Sequence, residues 1–301
     1  MHFFSISGFL ITASYTKSSK SRFLAARFLR LYPAILIYSL FAILVIGPLN
    51  IEVPLSKYFS ANPWENLWNT TLWSWKYNLP YAFSNNIIQG STNGSTWTLP
   101  LELRCYLVTF AIGCMSGFTY KYLYFVITIL MIWIIITNPA LSFMGVDSKR
   151  SITPFLFYIT GSLFWIFRHN IPLKWSVAIG LYLCDFFLHN TPFDFYFHPI
   201  VITYALLMVV YVLPALDIHK LGDISYGMYI YAWPVQQSVF THGQSGLMNF
   251  SFAILIVIPL AWISWNLVEK PAINLKKFFK KTNHVSPHSF ASKITAGGSS
   301  D

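Results

Sequence analysis

Residues 249–268 read NFSFAILIVIPLAWISWNLV, a run of 20 residues without a charged side chain. A helix of about 20 apolar residues is long enough to cross the hydrocarbon core of a bilayer, which is about 30 Å thick. Eight other apolar runs, the first of them shorter, lie near 3–14, 31–49, 97–116, 122–137, 152–167, 173–189, 195–213 and 224–241. The sequence therefore predicts about nine transmembrane helices.

The composition excludes a soluble protein. Hydrophobic residues make up 55% of the 301 residues and charged residues only 10%, against about 25% charged residues in soluble domains. The chain is also too apolar to be disordered, and its runs are too long for barrel strands of about 10 residues. We expect an all-α integral membrane protein, with one membrane domain over 1–278 and a polar, disordered cytoplasmic tail over 279–301.

The basic residues predict the orientation of the chain. There are 20 Lys and Arg against 10 acidic residues, an excess that in a membrane protein is more typical of cytoplasmic loops than of nucleic-acid binding. If residues 17–30 are cytoplasmic, alternating spans place most other basic residues on the same side, together with the C-terminus. Met1 then lies outside, before a run too short to cross alone. We therefore expect that one preceding helix is missing from this sequence.

The longest predicted outer loop, residues 50–95, is rich in Trp, Tyr and Asn. One interpretation is an aromatic belt at the membrane interface. The alternative is a sugar-binding surface, because indoles stack on sugar rings and Asn side chains bind hydroxyls. The sequence leaves both open.

Glu102 and Arg104 lie where this loop enters the third predicted span, and charges inside spans are functional candidates because they are costly. Glu102 and Tyr106 are four residues apart and share one helix face, whereas Arg104 points away from them. Glu102 therefore needs a polar partner in the bundle. It is either a structural carboxylate or a member of the functional site.

Arg27 and Arg30 are three residues apart at the predicted cytoplasmic mouth of the second span. This spacing places two guanidinium groups on one face, and guanidinium binds phosphate through paired hydrogen bonds. The alternative is plain anchoring beside lipid phosphates. By spacing alone, anchoring is favoured.

Residues 222–234, GDISYGMYIYAWP, open another predicted span. Asp223 is the expected helix cap, and the small and aromatic residues are spaced for close contact between helices.

The cysteines and histidines do not predict a metal site. The three cysteines lie in apolar runs without zinc-ligand spacing, so we expect them to pack in the core; they are Cys105, Cys114 and Cys184. Four histidines fall near the predicted outer ends of spans without the spacing of H-E-x-x-H, and we expect interfacial side chains there. They are His2, His189, His198 and His242.

Five short motifs resemble those of membrane-bound acyltransferase family 3, the bacterial inner-membrane O-acyltransferases, and occur in the same order. They are FFSISGFLI at 3–11, RFLRLYP at 27–33, WTLPLE at 97–102, ISYGMY at 224–229 and VEKP at 268–271. The resemblance implies ten helices, of which the first carries a catalytic histidine. That helix is the one expected to be missing here, so the catalytic histidine has no counterpart in this chain. Ala232 also stands where many members have histidine.

The resemblance further implies transfer of an acetyl or similar acyl group from acetyl-CoA to a hydroxyl of a cell-surface or exported glycan. Arg27 and Arg30 would bind the phosphates of CoA, and the acyl-bearing arm would reach Glu102, Trp97 and Tyr106, which support catalysis. The implied partners are acyl-CoA, a glycan or lipid-linked saccharide acceptor and membrane lipid, with no nucleic acid and no permanently bound cofactor. The implied location is the bacterial inner membrane.

Two other readings stay open. The first is a truncated, non-catalytic relative or a membrane protein that handles glycans or lipids without acyl transfer. The second is a transporter, which the lack of paired intramembrane charges and of an inverted repeat disfavours.

Overall fold

The computed structural model describes residues 2–73, 76–115, 121–137, 148–212 and 223–279, and in these ranges the chain is helical without a β-strand. This confirms the expected all-α class. The α-helices are α1 Phe3–Thr16, α2 Lys20–Phe41, α3 Gly47–Leu49, α4 Leu55–Ser60, α5 Thr98–Cys114, α6 Lys121–Thr137, α7 Ser148–Ile166, α8 Trp175–Leu188, α9 Asp194–Val212, α10 Ser225–Ser238, α11 Gly246–Ser264 and α12 Lys270–Asn274.

Each predicted apolar run coincides with a helix, but the helices differ in length. In the described ranges, three continuous helical segments are long and apolar enough to cross a membrane: Lys20–Leu49 with 30 residues, Asp194–Val212 with 19 and Gly246–Phe278 with 33. Shorter apolar helices cover Phe3–Thr16, Ile152–Ile166 and Trp175–Leu188. The membrane character of the chain follows from these helices, whereas nine spans stay a prediction.

Large apolar side chains on the outside of the helices fit a lipid environment. Helix α8 has no buried residue, and its Tyr182, Phe186 and Phe187 are exposed. Exposed apolar surface of this size is rare in a soluble monomer and normal where lipid is the solvent.

Contacts divide the chain into two compact units. The first unit combines the chain up to Phe23 with Leu101–Leu216, and the second combines Leu24–Pro100 with Asp217–Phe279. The predicted tail lies outside the described residues from residue 280 onward.

In the first unit, helices α1 and α7 cross at two glycines. A Cβ atom on Gly8 would lie 1.9 Å from the carbonyl oxygen of Tyr158, and one on Gly161 would lie 1.9 Å from the carbonyl oxygen of Ser5. No other residue fits at that distance, which explains Gly8 in the motif FFSISGFLI. Small residues allow this approach in membrane proteins because packing, not hydrophobic burial, holds their helices together.

Hydroxyl groups add polar contacts to the same bundle. The hydroxyls of Thr12 and Ser162 lie 2.6 Å apart, and those of Thr203 and Ser5 lie 2.9 Å apart. Both pairs are buried, so helices α1, α7 and α9 are joined by hydrogen bonds as well as by close packing.

In the second unit, helices α10 and α11 pack through Gly227 of the motif ISYGMY. A Cβ atom at Gly227 would lie 2.8 Å from the backbone Cα of Ala261. The close contact predicted for this stretch is therefore present. The neighbouring side chains Val235, Ala253 and Val257 form a buried apolar cluster between the same two helices.

The predicted outer loop, residues 50–95, is tied to helix α2 by a tyrosine. Helix α2 continues into a π-helical segment at Ala42–Ile46, where the wider turn rearranges the backbone hydrogen bonds. Tyr58 of α4 is fully buried and donates a hydrogen bond of 2.9 Å to the carbonyl oxygen of Ile43. The loop therefore folds back on the end of this helix.

The cysteines follow the prediction only in part. Cys105 is buried, as expected, but Cys114 and Cys184 are exposed. Core packing is therefore the wrong interpretation for the latter two, because an apolar run in a membrane helix also has a face turned away from the protein.

Candidate functional site

The structure brings Glu102 and Tyr106 together on helix α5, as their spacing predicts. Glu102 is 9% exposed, and the hydroxyl of Tyr106 donates a hydrogen bond to its carboxylate. This bond offsets part of the cost of burying a carboxylate. The arrangement holds the phenol of Tyr106 against a buried carboxylate. Arg104, two residues after Glu102 in the sequence, is also buried.

Trp97 lies in the turn that precedes α5 and is half-buried. The residues beside it are held by Tyr229 of the motif ISYGMY. The Tyr229 hydroxyl donates to the carbonyl oxygen of Ser95 and lies 2.5 Å from the Thr98 hydroxyl. Because the single Tyr229 proton is used toward Ser95, Thr98 is the donor in the second bond. Two motifs that are distant in sequence, WTLPLE and ISYGMY, thus meet at Tyr229.

A second contact fixes the same turn. The side-chain amide of the buried Asn93 donates a 2.8 Å hydrogen bond to the carbonyl oxygen of Ile230. The Ser95 hydroxyl donates a 2.8 Å bond to the oxygen of Asn93. The entry to helix α5 is therefore ordered by side chains that the motifs themselves do not include.

Arg30 forms an ion pair that its spacing with Arg27 does not predict. Arg30 Nη1 lies 2.5 Å from Asp223 Oδ2, and the two side chains are 30% and 42% exposed. The Arg30 guanidinium also lies 5.8 Å from the centre of the Tyr226 ring, within range of a cation–π interaction. Arg27 lies one turn earlier on α2 and is half-buried.

Asp223 is a partner of Arg30, and Ile224 rather than Asp223 is the residue directly before α10. The side chain of Ile224 makes no capping hydrogen bond, whereas Asp223 accepts hydrogen bonds from the hydroxyl and the backbone of Ser225, the first residue of the helix. Burial by itself would raise the pKa of Asp223, but hydrogen bonds from Arg30 and Ser225 and the charge of Arg30 lower that pKa below its ordinary value. Asp223 is therefore charged near neutral pH.

Glu269 of the motif VEKP lies close to the same pair. Its side chain is 1% exposed and accepts a 3.0 Å hydrogen bond from Ser264. The charges of Arg30 and Asp223 both act on Glu269. Three of the five motifs therefore contribute side chains to this part of the second unit: Arg30, Tyr226 beside its guanidinium, and Glu269, whose charge interacts with that of Arg30.

The predicted outer loop contains a cavity of about 590 Å³. Its polar lining includes Asn62, Glu65, Asn66, Lys76 and Gln89, and Tyr81 adds an aromatic ring. Exposed indoles of the same loop are Trp64, Trp68 and Trp73. Both sequence interpretations, aromatic belt and sugar-binding surface, are compatible with these positions.

Sequence reasoning missed Asp223, Glu269 and Tyr229 as members of the candidate site. Asp223 and Glu269 are acidic residues at the ends of apolar runs in a chain with only 10 acidic residues. That rarity was the available signal, since charged groups near membrane helices are seldom retained without a partner.

The sequence profile of a family described as "Acyltransferase domain" matches residues 2–268. A protein of Shigella phage Sf6 named "O-acetyl transferase" is 27% identical over 287 residues, covering 89% of this chain and 82% of that protein. "Nodulation protein 10" of Rhizobium leguminosarum bv. viciae is 28% identical over 322 residues, covering 91% of this chain and 81% of that protein. No solved structure gives a significant match.

Proposed function

Because the chain belongs to the acyltransferase domain family, it is an acyltransferase, and we propose that it moves an acetyl or similar acyl group from acetyl-CoA to a hydroxyl of a cell-surface or exported glycan. The name of the phage relative, an O-acetyl transferase, supports a hydroxyl as the accepting group. We propose the bacterial inner membrane as its location, with the C-terminus in the cytoplasm.

The observation that carries the proposal is the convergence of three motif regions on Arg30. A partly exposed guanidinium beside Asp223 can exchange its carboxylate partner for a phosphate oxygen, since both anions match its paired donors. Acyl-CoA carries phosphates, and Arg27 lies one turn away on the same helix to bind a second oxygen. Plain anchoring to lipid requires neither the ion pair of Arg30 with Asp223 nor the electrostatic interaction of Arg30 with the buried Glu269.

The chemistry needs few protein groups because a thioester is already activated. The acceptor oxygen attacks the carbonyl carbon, the carbon–sulfur bond breaks, CoA leaves as a thiolate and the hydroxyl proton passes to a base. Hydrogen-bond donors stabilise the oxyanion that forms in between. Within this reaction we propose supporting roles for Glu102, Trp97 and Tyr106.

Membranes that contain the protein test the donor. With radiolabelled acetyl-CoA we expect alkali-labile label on glycan, and we expect Arg27→Ala and Arg30→Ala to reduce both transfer and retention of acetyl-CoA by the purified protein. Arg30→Lys keeps the charge but loses the paired geometry, so partial activity is expected. Arg22→Ala, another cation on α2, is the matched control and should leave both measurements unchanged.

If wild type, Arg27→Ala and Arg30→Ala bound acetyl-CoA equally well, Arg27 and Arg30 would be lipid anchors and not ligands of CoA. Binding of acetyl-CoA without any transfer would separate the donor site from the acceptor proposal, because the two readouts are independent.

The outer-loop cavity favours one alternative, a membrane protein that binds glycan without acyl transfer. In that case, oligosaccharides would quench the fluorescence of the loop tryptophans, and Tyr81→Ala would abolish the quenching. Acetyl-CoA would have no effect on the protein.

A further inference from the structure

Helices α8 and α9 form a hairpin that carries the same short pattern twice. Asp185 and His189 are four residues apart at the end of α8, and Asp194 and His198 are four residues apart at the start of α9. Asn190, with a φ of 64°, helps reverse the chain between them. Residues four apart share a helix face, and the helices run in opposite directions. Each aspartate therefore faces the histidine of the other pair.

The distances confirm this cross-pairing. His198 Nδ1 lies 3.0 Å from Asp185 Oδ2, and His189 Nδ1 lies 3.3 Å from Asp194 Oδ2. One potential ligand atom from each of Asp185, Asp194 and His198 lies within 4.8 Å of the other two. All four residues belong to the first unit.

These spacings suit a small tetrahedral cation. Zinc binds imidazole nitrogen and carboxylate oxygen at about 2.0–2.2 Å, which places neighbouring ligand atoms about 3.3–3.6 Å apart on the tetrahedron. Among the three potential ligands, His198 Nδ1 and Asp185 Oδ2 lie slightly inside this separation at 3.0 Å, and the ligand atoms of all three residues lie within 4.8 Å of one another. A mixture of imidazole and carboxylate is also the ligand chemistry that zinc accepts, unlike a purely acidic cluster.

The surroundings contain both space and an unused oxygen. A cavity of about 250 Å³ is lined by all four residues and by Thr153. Asp185 is 15% exposed, and its other carboxylate oxygen, Oδ1, is buried without a hydrogen-bond partner among the described residues. A buried carboxylate oxygen without a partner is costly, and a bound cation would remove that cost.

We propose that Asp185, Asp194 and His198 bind one zinc ion, with a water or another small oxygen ligand in the fourth position. His189 contacts Asp194 and positions it, as partners of metal-binding side chains commonly do. The ion joins α8 to α9 at the turn of their hairpin. This site is separate from the acyl-transfer proposal and does not depend on it.

Zinc titration of the full chain tests the site. The protein is purified in detergent with an affinity tag that contains no histidine, treated with EDTA and desalted before zinc is added. We expect one zinc per chain after a second desalting and a higher unfolding temperature with zinc than with EDTA. His198→Gln and Asp185→Asn should lose the bound zinc, and His189→Ala should weaken zinc binding by about 10–100-fold.

His242→Gln is the matched control because it removes a histidine from the second unit and should leave zinc binding unchanged. A second test uses cobalt(II) and needs no variant. In the wild type, the intense visible absorption of tetrahedral cobalt should appear at one equivalent of cobalt and disappear when zinc is added. Zinc retained equally by His198→Gln, or cobalt without this absorption, would overturn the proposal. The proposal would also be overturned if zinc changed neither the metal content nor the unfolding temperature and only protonation of the histidines stabilised the protein.

Discussion

At the scale of single residues, the question for the buried pair Glu102–Tyr106 is whether the Glu102 carboxylate serves stability alone or also acyl transfer. Both residues lie on helix α5, and the phenol donates to the acid. Removal of a hydrogen bond to a charged group costs about 1.5–3 kcal/mol, so the pair affects stability whether or not it takes part in acyl transfer. Variants must therefore be compared by activity and stability together.

We expect Tyr106→Phe to lower the free energy of unfolding because it removes a donor to Glu102. Glu102→Gln keeps the shape and removes the charge, so it should leave the folded amount nearly unchanged and reduce acetyl transfer by about tenfold or more, the scale of a lost electrostatic or proton-transfer contact. Folded protein and transfer are measured in the same membranes. A Glu102→Gln variant with wild-type transfer would leave the carboxylate as structural only.

The second residue-scale prediction concerns Asp223. Burial raises the pKa of Asp223 in the folded state, but Arg30 and Ser225 lower it by more, so the folded pKa lies below the ordinary value. A carboxylate whose pKa is depressed by folding stabilises the protein above its unfolded pKa, and this stability is lost as the pH falls through the folded pKa. The contribution should be below about 1 kcal/mol because both side chains are partly exposed.

Wild type should therefore unfold at a higher temperature than Asp223→Asn at neutral pH, and the difference should shrink as the pH falls below the ordinary range for aspartate. Thermal unfolding in detergent at several pH values measures this. The same difference at all pH values would show that Asp223 does not titrate against Arg30.

At the scale of elements, the crossing of α1 and α7 depends on the absence of side chains at two positions. Gly161→Ala would place a methyl group against the Ser5 backbone, which cannot move without displacing α1. Overpacking of this kind costs about 1–3 kcal/mol, so we expect a lower unfolding temperature and less protein in the membrane.

Gly180→Ala is the control because a Cβ atom at Gly180 meets nothing within 4 Å. In the middle of a helix this change should be neutral or stabilising by about 0.5–1 kcal/mol. If Gly161→Ala were as stable as Gly180→Ala, the two helices would not depend on this contact.

At the scale of the whole molecule, the distribution of basic residues predicts the topology. Most of the 20 Lys and Arg fall on the side that the positive-inside rule assigns to the cytoplasm. We expect a reporter fused after Lys281 to be active in the cytoplasm and one inserted beside Asn86 to be active in the periplasm. Alkaline phosphatase and green fluorescent protein fusions, active on opposite sides, measure both positions. Reversal of either result would invert the predicted orientation.

The sequence by itself determined the helical class, the approximate positions of the apolar helices in the described ranges and the shared helix face of Glu102 and Tyr106. These features are local: a run of apolar residues favours a helix in lipid, and residues four apart meet on any helix. The length of an apolar run did not determine whether its helix spans the membrane. Helix α1, for example, is short, and most of its residues are buried against other parts of the protein rather than exposed to lipid.

Only the tertiary structure decided which distant residues meet. Arg30 and Asp223 are 193 positions apart, and Thr98 and Tyr229 are 131 apart. The crossed Asp–His pairs of α8 and α9 also form only through the hairpin. A fixed spacing of two histidines on one helix does not describe them, because each helix contributes one aspartate and one histidine. The physical reason is that sequence spacing fixes a side chain on its own helix, whereas packing selects the helix that it faces.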